Sequence, residues 1–533
     1  MERIESQVDR SADEFQQNAS EMLLLVERLH DSLRMATEEG PQEQIAKHKA
    51  RGKLLARERI QLLLDPDSPF LELLPLAGWE QKGMTLGGSL VAGIGLVEGV
   101  ECLIHANVPT VKGGALNQIS VQKSARLNEI ARENKLPVIY LNESAGADLP
   151  QQSLVFNYGG AIFRDITQRS KEGIPSVTLV FGNSTAGGAY VPGMSDYVVM
   201  VDRHARTYLA GPPLVKMATN EDVDDETLGG ASMHAHTSGL CDYLAHDEKD
   251  ALRIARAIVG QFRKVPGIYG QLKPSPQVEA PLYDPSDLLG IVPVDVRKPY
   301  DIRELIARLV DGSRFFAFKP LYGETLVTGW GKIHGFPVGI LANNGVLFSE
   351  AANKGTQFIQ LCCKQNVPLV YLQNITGFMV GSQAEREGII KNGAKLINAV
   401  SNSELPALTF IVGSSYGAGN YGMCGRAYNP RFLFTWPNSK LAVMGPDQLV
   451  GVLSLLAKQK EGEKGRSETK LLDLDQLKNR IEAESDAFFG TSRLWDDAII
   501  DPRETRNVAG FCLAIIERHR PQTNEARFGV FRM

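Results

Sequence analysis

The sequence predicts an α/β fold built twice in one chain. Three observations carry that prediction. Buried-strand runs alternate with amphipathic helices, the alternation starts again after a proline-rich break, and equivalent motifs in the two halves stand a constant 231 residues apart.

Length and composition set the bounds. At 533 residues the chain exceeds the ~250–300 residues at which single cores stop growing, so two domains are expected, 1–270 and 271–533. The hydrophobic share of 43% and charged share of 22% are those of globular proteins, and a net charge of −5 gives no overall basic field to attract nucleic acid or an anionic membrane. The acidic, polar start "MERIESQVDRSADEF" has the character of neither a secretory signal nor a transit peptide, and no apolar run approaches the ~18 residues of a membrane span. Cys102, Cys241, Cys362, Cys363, Cys424 and Cys512 are scattered without a CxxC pair, which argues against a zinc site or a disulfide framework and makes the cytoplasm the expected location.

Along the chain, "ADEFQQNASEMLLLVERLHDSLRMA" and "RGKLLARERIQLLLD" place apolar residues at helical spacing among charges and are expected as helices ahead of the first globular half. Glycine-punctuated β segments follow from about Gly83 ("GGSLVAGIGLVEGVECLIHAN"), then a helix at "VQKSARLNEIARENK" and the buried strand "LPVIYLNE". A second helix at "IFRDITQRSKEG" leads into the strand of "IPSVTLVFGNS". The irregular segment 265–287, "VPGIYGQLKPSPQVEAPLYDPSD", is the expected linker.

After the linker the order repeats. "LVTGWGKIHGFPVGILANNG" answers the first β segments, and "GTQFIQLCCKQN" answers the first helix. "VPLVYLQN" answers "LPVIYLNE" at 231 residues (368 − 137), and "LPALTFIVGSSYGAGNY" answers "IPSVTLVFGNSTAGGAY" at the same 231 (406 − 175). A constant offset across different motifs indicates an internal duplication.

Both halves keep a strand, a glycine, two small polar residues, and then a small pair opening a helix: Gly187-Gly188 and Ala418-Gly419. Such a turn presents unobstructed backbone N–H groups at a helix start, which is what an oxyanion hole requires; it is equally what close packing of helix on strand requires. Two literal motif matches fail on their chemistry. "GNSTAGG" lacks the Lys and Ser/Thr of a phosphate loop, and "GAGNYG" sits late in its half with Asp447 as the first acid beyond it, unlike a dinucleotide site.

The surroundings narrow the choice. "ESAGADLPQ" (143–151) and "GNSTAGGAY" resemble the two oxyanion loops of the crotonase superfamily, and the doubled arrangement resembles the carboxyltransferase subunit of biotin-dependent acyl-CoA carboxylases. The likeness covers nearly the whole chain, including "HKARGKLLARERIQLLLDPDSPFLEL" (48–73), "LAGPPLVKMAT" (209–219), "LGGASMHAHTSGLCDY" (228–243), "LVDGSRFFAFKPLYG" (309–323), "LQNITGFMVG" (372–381) and the ending "SRLWDDAIIDPRETR" with "RFGVFRM". The ending and "GAGNYGMCGRAY" are most similar to the methylcrotonyl-CoA and geranyl-CoA branch.

That resemblance implies two tandem crotonase-like domains that move a carboxyl group from carboxybiotin to an acyl-CoA. Negative charge then gathers on two oxygens, one on the thioester and one on the biotin ureido group, so two holes are needed. The Gly187 and Gly188 amides would serve one and the Ala418 and Gly419 amides the other. The family places CoA on the N-terminal half and biotin on the C-terminal half, with the site formed across a dimer interface. It implies Lys112, Gly113 and Gly114, with Ala145, Gly146 and Ala147, around the acyl-CoA; Asn374, Thr376, Gly377 and Phe378 around biotin; and Tyr190 and Tyr421 as walls or packing residues. Methylcrotonyl-type relatives carry an aromatic residue near Gly159, so glycine there implies a larger acyl pocket and a longer or more branched substrate. Lacking an Ala-Met-Lys-Met biotinylation motif and an ATP-binding module, the chain would need a partner bearing the biotin carboxylase and biotin carrier functions, and relatives form hexameric cores.

Other features read as structural. His234 and His236 have no third ligand near in sequence, "EDVDDE" (221–226) lacks EF-hand spacing, and "KQKEGEKGRSETK" (458–470) reads as an exposed charged segment, so no metal is expected. Three alternatives stay open at this level. A carboxyltransferase acting on propionyl- or acetyl-CoA is the first; a same-fold decarboxylase or lyase is the second, although a hydratase would need paired carboxylates and the loops carry only Glu143 and Asp148; a noncatalytic CoA-binding scaffold is the third.

Overall fold

The apolar runs of the sequence become parallel strands in two separate sheets. The computed structural model describes residues 1–262, 278–445, 448–452 and 474–518. Most of the linker segment, the charged stretch 458–470, Asp447 and the final "RFGVFRM" lie outside these residues. The chain divides into two units, one of Ser32–Leu272, the other of Met1–Asp31 with Lys273–Met533, and the first division falls within helix α1 (Asp13–Ala36).

In the unit Ser32–Leu272 the strands are β2 (Phe70–Glu72), β3 (Leu90–Val97), β4 (Val100–Asn107), β5 (Val138–Ser144), β6 (Ser176–Thr185), β7 (Tyr197–Val201), β8 (Arg206–Tyr208) and β9 (Tyr243–Ala245). They lie in the order β2-β3-β4-β5-β6-β7-β9, with β8 beside the end of β6. The pairs from β2 to β4 are antiparallel and those from β4 onward parallel. The parallel strands bear apolar residues on both faces because both faces are covered. Ile139, Leu141, Val177, Leu179, Phe181 and Val199 join one core with Leu252, Ala255 and Val259 of α5 (Glu248–Phe262). Each of the Val, Leu, Ile and Phe side chains contributes about 1.5–3 kcal/mol when fully buried. Helices α2 (Ala56–Leu63), α3 (Gln118–Glu133) and α4 (Gln152–Lys171) complete the elements that matter for the site.

The other unit repeats the plan. Its strands are β1 (Glu2–Arg3), β10 (Arg314–Ala317), β11 (Leu326–Ile333), β12 (Phe336–Asn343), β13 (Leu369–Ile375), β14 (Ala407–Tyr416), β15 (Phe432–Thr435), β16 (Lys440–Ala442) and β17 (Ala498–Ile499). Their order is β1-β10-β11-β12-β13-β14-β15-β17, with β16 beside the end of β14. Antiparallel pairs again precede parallel ones from β12 on. Helices α6 (Ser349–Gln365), α7 (Ile389–Asn402) and α8 (Gly417–Gly422) correspond in chain order to α3, α4 and the turn after β6.

The N-terminal residues depart from the expected division at 270, because they join the second unit rather than the first. Polar contacts hold them there: β1 pairs with β10, the Gln7 amide donates to Glu304 (2.8 Å), and Arg10 meets Asp287 (2.7 Å). Asp287 and Glu304 are themselves bound to the buried Arg308. Among the described residues no helix is long and apolar enough to cross a membrane.

Candidate active site

The two glycine turns open in the same way. After β6, Ala186 adopts φ 52 and opens a tight turn, Ala186–Ala189, that runs into the short helix Tyr190–Met194. After β14, Gly417 adopts φ 53 and opens α8. Ala186 and Gly417 stand 231 apart, and for alanine the left-handed conformation costs about 1–2 kcal/mol, so the fold holds this turn against an intrinsic preference. The first N–H groups of a helix find no carbonyl within it. Gly187 occupies such a position in one turn, Ala418 and Gly419 in the other.

A second loop lies against each turn. Strand pairing slips between Asn142 and Ser144 in one unit and between Gln373 and Ile375 in the other, again at equivalent positions, and this turns the following residues out of the sheet. Gly146 (φ 89) passes so close to the first turn that a Cβ there would lie 3.0 Å from the Thr185 carbonyl oxygen. Its own carbonyl accepts from Leu116 N (2.8 Å), as Gly377 O accepts from Leu347 N (3.1 Å). In the second unit a Cβ on Gly419 would lie 3.2 Å from the Gly377 Cα. The structure therefore brings Ala145–Ala147 to Gly187 and Gly188, and Thr376–Phe378 to Ala418 and Gly419.

The remaining expected residues take varied places. Gly113 (φ 65) accepts from Ala145 N through its carbonyl (2.9 Å), Gly114 (φ 70) packs on the Glu143 carbonyl, and Lys112 Nζ binds Asp148 (2.8 Å). Gly159 lies on α4 one turn before Phe163, whose ring would be 3.5 Å from a Cβ on Gly187; beside Gly159, among the described residues, only Val155 comes within 4 Å of such a Cβ. Tyr190 stacks near Phe163 (5.5 Å) and Tyr421 near Tyr428 (5.6 Å), both half exposed. Asn374 Oδ1 accepts from Ser414 N (3.0 Å). The Phe378 ring packs on Gly393 and Gly422, so only its backbone belongs to the loop.

Charge separates the two units. Glu143 is buried and receives Lys53 (2.5 Å) and Arg59 (3.0 Å), and Arg59 also binds Glu248 (2.7 Å) and lies over the Phe181 ring (4.2 Å). Burial pushes the Glu143 carboxyl up, but Arg59 and Lys53 outweigh it and hold it below the usual carboxylate range. The equivalent of Glu143 in the second unit is the uncharged Asn374.

A cavity of about 530 Å³ opens beside Gly113 and Ala145, with His48, Arg51, Lys53, Arg203 and Arg206 in its walls and Glu143 as its acid. The second unit has a cavity of about 620 Å³ beside Thr376 and Tyr416, where Arg297, Lys440 and Lys478 are balanced by Glu21, Asp295 and Glu482 around Val294 and Val296. The positions correspond: Arg206 pairs with Asn183, and Lys440 pairs with Ser414. Sequence reasoning missed the basic walls. Their signal was "HKARGK" and "VDRHAR", two short cationic runs that only the fold brings together.

The rejected motifs are absorbed locally. His234 Nδ1 meets Ser238 Oγ (2.6 Å) and its Nε2 meets the Thr207 carbonyl (2.7 Å). Asp224 of "EDVDDE" caps the next helix by accepting from the Glu226 and Thr227 amides. All six cysteines are buried and unbridged.

Comparison with known proteins gives consistent results. The family pattern described as "Carboxyl transferase domain" matches residues 47–531. The probable biotin-dependent acyl-coenzyme A carboxylase beta2 subunit of Mycobacterium tuberculosis is 53% identical, across 99% of this chain and 100% of its own length. The probable mitochondrial methylcrotonoyl-CoA carboxylase beta chain of Drosophila melanogaster is 49% identical, across 99% and 95%. The crystal structure of the geranyl-CoA carboxylase beta subunit of P. aeruginosa superimposes with a TM-score of 0.89 at 43% identity, covering 99% of both chains.

Proposed function

The chain belongs to the carboxyl transferase family, and on that premise we propose that it transfers a carboxyl group as the beta subunit of a biotin-dependent acyl-CoA carboxylase of the methylcrotonoyl/geranyl-CoA branch. One observation carries the mechanism: the same left-handed turn, facing the same slipped loop, occurs once in each unit.

The basic cavity suits the phosphates of CoA, and Arg51 and Arg206 are the side chains we assign to them. The thioester then lies along Ala145–Ala147, next to the Gly113 turn, with its oxygen at the Gly187 and Gly188 amides. These donors are fixed before the substrate arrives, so they stabilise the enolate oxygen without reorganising; one such donor contributes about 2.7–4 kcal/mol to a transition state. Glu143 and Asp148 are committed to ion pairs and are not poised to take the substrate proton.

The cavity of the second unit, with balanced charges and valine walls, fits an uncharged ring system such as biotin. Biotin, carried on a partner subunit, supplies the carboxyl group when bound. Thr376 and the backbone of Gly377 and Phe378 line its place, and the Ala418 and Gly419 amides hold the ureido oxygen. The open space beside Gly159 favours an acyl chain longer or more branched than methylcrotonyl. The protein works with a biotin carboxylase and biotin carrier subunit, assembles as a hexamer, and resides in the cytoplasm.

The test is a partner-free reverse assay in which purified protein, free biotin and methylmalonyl-, methylglutaconyl- or carboxygeranyl-CoA are followed for loss of the carboxyl group. Biotin-dependent turnover, fastest on the bulkier chains, is the expected result. Biotin-independent turnover would indicate a lyase, and silence across the panel would contradict the proposal.

A further inference from the structure

Helices α3 and α6 occupy equivalent places in the duplication. Compared at the 231-residue offset, Gln118–Glu133 and 349–364 keep one residue in common, Lys123 and Lys354. Both are buried, at 0% and 2% exposure. A buried ammonium is costly unless something compensates it, so its survival at the single invariant position of two diverged helices calls for a cause.

Neither lysine spends its bonds on a carboxylate. Lys123 Nζ donates to Leu90 O (2.7 Å) and, at longer range, to Gly87 O (3.4 Å), and Lys354 Nζ donates to Gly323 O (3.4 Å). Gly87 and Gly323 belong to the turns that lead into β3 and β11, and Leu90 is the first residue of β3. Each turn is pressed onto its helix at the same place. A Cβ on Gly88 (φ 69) would lie 2.8 Å from the Ser120 amide nitrogen, and one on Gly323 (φ 58) 2.9 Å from that of Ala351. Positions 120 and 351 are again 231 apart. Burial lowers both ammonium groups to a pKa of about 8.

From these turns the constraint reaches the loops of the site. Ser89 O accepts from Val108 N (3.0 Å), and the segment beginning there contains Gly113, whose carbonyl binds Ala145 N (2.9 Å). In the second unit Thr325 O accepts from Asn344 N (2.8 Å), and Asn343 Oδ1 accepts from Asn374 N (3.4 Å).

We propose that Lys123 and Lys354 are a matched pair of positioning residues, Lys123 holding the loops that receive the acyl-CoA thioester and Lys354 those that receive biotin. The assignment of ligands to halves rests on the function proposed above.

Lys123→Met and Lys354→Met keep an unbranched side chain and delete the ammonium. Where a Met variant fails to fold, Lys→Gln, which retains a donor without the charge, replaces it. Three readouts are compared: calorimetric binding of methylcrotonyl-CoA, the KM for free biotin in the reverse assay, and thermal unfolding. Lys123→Met is expected to weaken methylcrotonyl-CoA binding about tenfold or more and leave the biotin KM unchanged. Lys354→Met is expected to do the converse, and both should unfold within a few degrees of the parent. Variants that disturb both ligands alike, or that lower only the unfolding temperature, overturn the inference. A parent that binds the thioester without biotin-dependent turnover removes the proposed function while binding still judges Lys123; a parent that binds nothing refutes both.

Discussion

Gly419 and Gly377 touch: a Cβ added to Gly419 would stand 3.2 Å from the Gly377 Cα and 2.5 Å from the Ile375 side chain. The corresponding position in the other unit is looser, since a Cβ on Gly188 would meet the Ser144 Cβ at 3.4 Å. Gly419→Ala is therefore expected to displace the loop, lowering kcat in the reverse assay about a hundredfold and stability by about 2 kcal/mol. Gly188→Ala should cost several-fold less on both measures. Equal effects would contradict the difference in packing.

The buried ion pairs of Glu143 give a pH signature. Because Arg59 and Lys53 hold this carboxyl below its ordinary value of 4.5, its contribution to stability is present above that pH and is lost as pH falls through the depressed value of the folded state. Glu143→Gln should cost about 3 kcal/mol at neutral pH. Thermal unfolding of variant and parent should converge as pH is lowered below 4.5 and through the depressed value of the folded state. A gap that stays constant with pH would show that charge is not the cause.

The basic cavity separates nucleotide recognition from thioester chemistry. Arg51→Ala and Arg206→Ala should each raise the KM for an acyl-CoA about tenfold while leaving the same acyl group on pantetheine unaffected. Added salt should narrow the difference between CoA and pantetheine thioesters in the parent. Loss with both classes of thioester would place these arginines elsewhere in the reaction.

Space beside Gly159 predicts a change of substrate range. A Cβ there meets only Val155, at 3.7 Å, so Gly159→Phe is expected to fold normally and to fill the room beside Phe163. Its kcat/KM for carboxygeranyl-CoA should fall about tenfold or more relative to methylglutaconyl-CoA. An unchanged ratio would move the acyl chain to another wall.

Much of this was legible in the chain itself. The strand ending at Thr185 and the one ending at Tyr416 announced themselves as apolar runs followed by small residues, and the offset between them located the second glycine turn. What escaped depended on three-dimensional closure. The cavity gathers His48, Lys53 and Arg206 from segments about 150 residues apart, and no local periodicity links them. The N-terminal residues reach the second unit through Glu304 and Asp287, whose partners in sequence terms lie nearly 300 positions away. Ala186 at φ 52 was hidden too, since alanine does not advertise a left-handed turn as its equivalent Gly417 does.

In the proposed transfer, backbone N–H groups rather than side chains hold the two oxyanions. Ala418 is the second residue of α8, where proline is tolerated because no intrahelical carbonyl awaits its N–H. Ala418→Pro therefore deletes one donor while preserving the helix, and kcat for biotin-dependent decarboxylation of the preferred acyl-CoA is the quantity to measure. A fall of about a hundredfold to a thousandfold is expected, with an unfolding temperature close to that of the parent. Undiminished kcat in a folded Ala418→Pro protein would contradict it.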